Sequence, residues 1–325
     1  MRLNTHIALT LEFEDPKKAA ILFGELDCNV SYLEEQTGLE IAAQGNQLVL
    51  QGKEDRCENI ASLLKDIYEA IHDEKLKSSE DIRGAMKIHM AKPAKDQEVF
   101  PFAKTDENFI AQISTRKKTL NARNVSQQRY IKNLNNKTMV FGTGPAGTGK
   151  TYLAAAKAVS MLESGEVERV ILSRPAVEAG ERIGFLPGDM KEKVDPYLRP
   201  LYDAIHDMMP ADKVERAMSN QVIEIAPLAF MRGRTLSHAA IVLDEAQNTT
   251  IMQMKMFLTR LGEGSKMFIT GDPSQVDLPR GEKSGLQDAL DKLSHIDDIA
   301  ILKFTNKDVV RHPLISKIVD AYDEK

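Results

Sequence analysis

Residues Gly144–Thr151 read GPAGTGKT, a complete match to the phosphate-binding pattern G-x-x-x-x-G-K-[ST], and the fold reads outward from them. Just before, Thr138–Phe141 is short and apolar, which predicts a buried strand. Just after, Tyr152–Leu162 is rich in Ala and Leu, which predicts a helix. Strand, glycine loop and helix form the context this pattern needs. Its glycines let successive backbone N–H groups turn inward onto phosphate oxygens. The helix N-terminus adds about half an elementary positive charge at the same point. On this reading Gly144, Pro145, Ala146, Gly147, Thr148 and Gly149 cradle the phosphates. Lys150 extends from a solvent-accessible loop to the β- and γ-phosphates, and the Thr151 hydroxyl holds Mg²⁺. The chain is expected to bind a nucleoside triphosphate.

Downstream, apolar strands and helices alternate. Val170–Leu172, Gln221–Ile225, Ala240–Leu243 and Lys266–Ile269 read as strands, and Ile251–Leu261 as a helix. Such alternation predicts an α/β domain with a mostly parallel sheet covered on both faces. Pro187–Asn220 is too long for a simple crossover and reads as a helical insertion. The strand Ala240–Leu243 runs into Asp244 and Glu245, placing two carboxylates where ligands of open α/β sheets collect. Asp244 suits a water-mediated hold on Mg²⁺. Glu245 suits orienting and polarising an attacking water, which a hydrolase needs and a small-molecule kinase must exclude. Gln275, in FITGDPSQVDLP, is placed to touch the γ-phosphate or the water. Upstream, Gln127 is the candidate to read an adenine edge, with Gln128 as its rival. Arg174, in the triplet SRP, is a candidate phosphate or nucleic-acid contact, with a structural role as the alternative.

Composition describes a chain that can build more than one core: 325 residues, 42% hydrophobic. No run approaches the ~18 apolar residues of a membrane span. The start, MRLNTHIALTLEFED, lacks an apolar signal region, so a cytoplasmic protein away from membranes is expected. Cys28 and Cys57 stand 29 positions apart without a C-x-x-C, so two reduced thiols are expected rather than a zinc site or a disulfide. The net charge of −5 is uneven: −9 over residues 1–81, +8 over 82–137 and −4 over 138–325. A basic segment between acidic ones is either a nucleic-acid footprint, with Arg116, Lys117 and Lys118 at its centre, or a solvated linker.

That segment also suggests a boundary. Lys92–Pro101 (KPAKDQEVFP) holds two prolines and no apolar period, as a linker does. Before it, Ile7–Phe13 reads as a strand and Lys17–Gly24 as a helix. Leu39–Ala42 and Gln47–Leu50 read as a hairpin about Gly45-Asn46, Ile60–Ile71 as an amphipathic helix and Ser79–Met90 as another. The expected organisation is a small α+β module at 1–78, a helix and linker at 79–104 and the nucleotide domain at 105–325. The module resembles a KH-type RNA-binding fold in element order. Residues 1–81 hold no pair of glycines three apart, however, and the KH backbone clamp is a GXXG loop. RNA contact and protein–protein packing both stay open for it.

Five blocks, GPAGTGKTYLA, SRPAVEAGERIGFLPGD, VLDEAQN, TGDPSQVDLP and DVVRHPLISKIV, together resemble the PhoH-like family of bacterial ATPases, over Thr105–Tyr322. LFGELDCNV and GNQLVLQG resemble that family's KH-like N-terminal module. Leu120–Val125, ahead of Gln127, departs from the family's usual pattern. The resemblance implies a cytoplasmic ATP-binding protein with a RecA-like P-loop core, hexameric rings and a link to RNA metabolism. It further implies a metal-dependent endoribonuclease partner that matures ribosomal RNA. The core also resembles the first motor domain of superfamily 1 helicases, so RNA helicase activity is an open expectation. Those helicases follow it with a second RecA-like domain that supplies an arginine. No second such domain is expected here, so the arginine is expected from a neighbouring subunit or from the chain's own tail, with Arg311 as the candidate. Two other readings remain: a P-loop small-molecule kinase and a nucleotide-gated adaptor that recruits a nuclease.

Overall fold

The computed structural model describes residues 6–91, 110–175 and 190–310 with positions 318 and 321, the side chains of 190–196 aside. The linker expected at Lys92–Pro101, the domain start at Thr105 and Arg311 lie outside the described residues, as does most of SRPAVEAGERIGFLPGD. The chain divides into two compact units, residues 1–110 with 121–128, and residues 111–120 with 129–325.

The first unit runs β1 (His6–Glu12), α1 (Pro16–Phe23), α2 (Cys28–Thr37), β2 (Glu40–Gln44), β3 (Gln47–Lys53), α3 (Glu54–His72) and α4 (Ser79–Met90). Its antiparallel sheet has the order β1-β3-β2. Gln44 pairs with Gln47 across a two-residue turn, where Gly45 takes φ 64°, so the hairpin lies where Gly45-Asn46 implied. Asp15 starts α1 by accepting the N–H groups of Lys17 and Lys18, with Pro16 in the first turn. Alternate residues of β3, Leu48 and Leu50, are fully buried with Leu63, Leu64 and Ile67 of α3. The helix α2 is absent from the sequence reading because its buried set includes a polar residue. Asn29 is fully buried and hydrogen-bonded at both ends of its amide: Nδ2 donates to Leu22 O, and Oδ1 accepts from Ser79 Oγ and Arg83 Nε. Asn29 thereby ties α1 and α4 to its own helix. The turn between α1 and α2, Gly24-Glu25-Leu26-Asp27, holds one glycine and two carboxylates, and Leu26 is entirely exposed.

The second unit contains most of a two-stranded ribbon, β4 (Gln112–Ser114) and β5 (Thr119–Asn121), and most of α5 (Val125–Asn136). Then come β6 (Met139–Thr143), α6 (Lys150–Ser164), β7 (Arg169–Arg174), α7 (Met190–Met208), α8 (Ala211–Ser219) and β8 (Ile223–Pro227). After these follow β9 (Ala239–Leu243), α9 (Ile251–Leu258), β10 (Lys266–Gly271), α10 (Gly285–Leu293) and β11 (Ile299–Lys303). Six parallel strands form one sheet in the order β11-β6-β10-β9-β7-β8. All residues of β6 and β9 are buried, as strands covered on both faces require. One face packs on Met254 and Phe257 of α9 and Leu286 of α10. The α6 alanines 154, 155, 156 and 158 are fully buried, and their small side chains let that helix sit close to the sheet. This is the RecA-like α/β P-loop core. The helical insertion is α7 with α8. The strand expected from Gln221 begins at Ile223, because Gln221 takes φ 57° in a turn. The helix after Asp244–Glu245 ends at Leu258, three residues short of expectation.

Chain order jumps outward from β6 to β7 and β8, then returns to β9 and β10 beside β6. The crevice at such a reversal, at the carboxyl ends of the strands, is where α/β sheets hold ligands. Under it lies Tyr130, fully buried, edge-on to Phe304 with ring centroids 5.4 Å apart. A Cβ on Gly142 would lie 2.8 Å from the Tyr130 hydroxyl oxygen, so the central strand needs glycine there. That hydroxyl has no hydrogen-bond partner among the described residues. Burial, helped by the charge of Asp244, pushes its pKa far above the ordinary tyrosine value. Tyr130→Phe should therefore be neutral, or stabilising by up to the ~1–3 kcal/mol that an unsatisfied buried group costs. Denaturant midpoints of the full chain check this, and a loss above about 1 kcal/mol would mean that the hydroxyl is satisfied.

Candidate functional site

The phosphate loop joins β6 to α6. Gly149 caps α6 in the left-handed region at φ 84°. Gly144 takes φ 127°, and a Cβ there would lie 2.3 Å from Phe304 O. The loop is thus pressed against the segment after β11, whose Phe304 N–H donates to Thr143 O at 2.7 Å. Val310 N–H donates to Gly147 O at 2.9 Å, one residue before Arg311. Lys150 is not the solvent-exposed side chain expected from the sequence. It is 8% exposed, and its Nζ donates to Pro145 O at 2.7 Å and Thr148 Oγ1 at 3.3 Å. Burial lowers its pKa, opposed by the charges of Asp272, Asp244 and Glu245. A lysine folded onto its own loop, among carboxylates, is a cation held ready for an anion.

Asp244 follows β9 directly and is 5% exposed. Thr151 Oγ1 donates to its Oδ1 at 2.6 Å and Thr270 Oγ1 to the same oxygen at 2.9 Å. Residues 93 positions apart in sequence thus meet at hydrogen-bond distance. Glu245 takes the left-handed region at φ 51°, unusual for a residue with a Cβ and a form of strain that clusters at working sites. Arg174, at the end of β7, lies between the two acids: Nη1 is 3.9 Å from Asp244 Oδ2 and Nη2 is 3.7 Å from Glu245 Oε1. Its Nη1 also donates to Tyr197 O on α7. Gln275 Nε2 donates to Asp272 Oδ2 at 2.9 Å. Lys150, Thr151, Arg174, Glu245 and Gln275 share the wall of one cleft of about 730 Å³, a volume typical of ligand sites.

Tyr152 and Asp207 on this cleft, and the buried Gln247 beside Glu245, were not singled out from sequence. Gln247 stands inside the quoted VLDEAQN, but its partner Asp272 is 25 residues away, so no local signal marks it. Tyr152 and Asp207 line the side of the cleft towards α7. Asp207 accepts from both the Tyr152 hydroxyl and Lys118 Nζ. The Lys118 bond, followed by the Tyr152 bond, holds the Asp207 carboxyl below its ordinary pKa. Lys117 Nζ donates to His206 O at 2.7 Å, so two of the three cations at the centre of the basic segment are engaged by the end of α7. Gln127 belongs to the first unit, where its Oε1 accepts from Arg123 N–H at 2.9 Å and its N–H donates to Asn124 Oδ1. Its rival Gln128 is in the same unit.

A family model described as PhoH-like protein matches residues 119–323. A PhoH-like protein of Bacillus subtilis (strain 168) is 47% identical over 319 residues, 98% of both chains. A PhoH-like protein of Mycobacterium tuberculosis (strain ATCC 25618 / H37Rv) is 62% identical over 210 residues, 65% of this chain and 60% of that one. Protein PhoH of Escherichia coli (strain K12) is 46% identical over 203 residues, 62% of this chain and 57% of that one. With a family model matched over most of the chain, and 47% identity to one relative along nearly all of it, the chain belongs to the PhoH-like family.

Proposed function

We propose that the chain is a magnesium-dependent ATPase. One contact carries this reading: the Thr151 hydroxyl, at the end of the phosphate loop, on the Asp244 carboxylate, with Glu245 next in the chain on the same cleft. The donors fit the ion. Magnesium prefers hard oxygen ligands and commonly takes one or two carboxylates, with water and substrate phosphates completing its shell. Among the described residues no group of three or more His, Cys, Asp or Glu side chains could hold a metal by itself, so here the ion would arrive with the nucleotide. Thr151 and Asp244 would hold the ion, which when bound would supply positive charge against the phosphates. Lys150 would turn from Pro145 O to the β- and γ-phosphates, Glu245 would orient the attacking water and Gln275 would contact the γ-phosphate. Gln127 is proposed for the adenine edge.

The wider setting is proposed on family grounds: a cytoplasmic ring homo-oligomer, a hexamer, working on RNA with a metal-dependent endoribonuclease that processes ribosomal RNA. No helix among the described residues is long and apolar enough to cross a membrane. The engagement of Lys117 and Lys118 removes part of the electrostatic case for RNA, which then rests on the rest of the basic segment. Among the described residues Arg174 is the one arginine on the cleft, and it faces the two acids. A further arginine opposite the γ-phosphate is proposed to be Arg311 of a neighbouring subunit.

Phosphate release by the purified chain, with and without single-stranded RNA, tests the reading directly. Lys150→Ala should lose nucleotide binding, since each charge-assisted hydrogen bond contributes about 1.5–3 kcal/mol. Unchanged ATP affinity by calorimetry would refute the phosphate-loop assignment. Glu245→Gln should bind ATP like the parent but turn over ~10²- to 10⁴-fold more slowly, the range for loss of a general base. Parent-like turnover would return the kinase and adaptor readings. Mixing Glu245→Gln with Arg311→Ala subunits should restore part of the activity if Arg311 acts across a boundary. Absence of rescue despite proven subunit exchange counts against it.

A further inference from the structure

Between Glu245 and Gln275 lies a side chain that touches both loops and belongs to neither assigned role. Gln247 is 1% exposed. Its Nε2 donates to Glu245 Oε2 at 2.5 Å, and its Oε1 accepts from Asp272 N–H at 3.0 Å. These two contacts fix the orientation of the amide. Turned over, it would set its NH₂ against the Asp272 N–H and its oxygen against the Glu245 carboxylate, and both contacts would repel. Room for the amide comes from Gly271, where a Cβ would lie 2.6 Å from Gln247 Oε1. The backbone is anchored as well, because Ser284 Oγ donates to Gln247 O at 2.8 Å. From Asp272 the chain of contacts continues: Oδ2 accepts from Gln275 Nε2 at 2.9 Å, and Oδ1 from Ser274 N–H at 3.0 Å and Ser274 Oγ at 2.7 Å.

We infer that Gln247 is a positioning residue that sets the Glu245 carboxylate and links it to the Asp272–Gln275 loop. The inference rests on the ATPase reading and adds to it how the base is held. Glu245 is 37% exposed at its side chain and could otherwise sample several rotamers in the cleft. The Gln247 amide takes one of its oxygens, and Arg174 lies near the other. Movement of Gln275 towards a γ-phosphate would be felt at Asp272 and passed to Glu245 through the same amide. A base displaced by about 1 Å can lose ~10²-fold in rate while binding is untouched.

Gln247→Glu isolates the link. The new side chain has the same length and still accepts from Asp272 N–H, but it presents an oxygen to Glu245 in place of a donor. Mg-ATP binding by calorimetry should stay within about threefold of the parent, with kcat reduced ~10- to 100-fold at similar KM. Gln247→Met, which keeps the volume and lacks both hydrogen bonds, should show the same split. In a Glu245→Gln background neither substitution should lower the residual rate further, because both act through one carboxylate. Parent-like kcat in Gln247→Glu, losses that add to those of Glu245→Gln, or weakened nucleotide binding in both variants would each overturn the proposal. A parent chain that releases no phosphate overturns the ATPase reading and this inference with it. A parent that turns over beside an equally active Gln247→Glu overturns the inference alone.

Discussion

A carboxylate buried at the end of a central strand must be compensated, and the site is organised around how Asp244 is. An uncompensated buried charge costs several kcal/mol, so its neighbours are constrained to supply donors. Thr151 supplies one from the first turn of α6, Thr270 one from β10, and Arg174 brings a cation from the end of β7. Asp244 N–H itself donates to Ser173 O at 2.9 Å. Three elements adjoining β9 are therefore held in register by one side chain, and the phosphate loop is among them. On the proposed reading, the same group would exchange its hydroxyl donors for a divalent cation and its waters.

Much of this was legible because the residues involved have narrow chemistry. A glycine loop ending in Lys-Thr, a strand running into Asp-Glu and unbroken apolar runs for covered parallel strands each point one way. Other elements carried weaker local signals. The helix α2 buries Asn29 beside Val30 and Leu33, which blurs its period. The edge strand β11 has no fully buried residue, so nothing marks it as part of a core sheet. Gln247 gains its meaning from a residue on another strand's loop. A lysine on a glycine loop is expected in water, whereas Lys150 folds back onto a carbonyl oxygen.

The basic segment gives a similar lesson at the scale of charge. Lys117 and Lys118 appear in the sequence as part of a cationic run, which suggests an anionic partner. In the fold both reach α7, and Lys118 shares Asp207 with Tyr152, the residue directly after Thr151. The ribbon of β4 and β5 thus helps moor α7 beside the phosphate loop. Net charge along a chain records what must be neutralised somewhere, and part of that neutralisation is internal.

The position of β6 in its sheet bears on how the molecule is made. Its two neighbours, β10 and β11, begin 127 and 160 residues after it does. The first unit's sheet, by contrast, closes with β3, ending at Lys53. During synthesis, which releases the N-terminal part first, the small unit can complete its sheet early. The strand that carries the phosphate loop emerges with neither edge partner yet made. Until residues up to Phe304 are available, Thr143 O lacks its donor and Gly144 lacks the carbonyl it packs against. The nucleotide pocket would then be among the last features to form on a growing chain, and its apolar β6 edge would need shelter while the ribosome finishes the remainder.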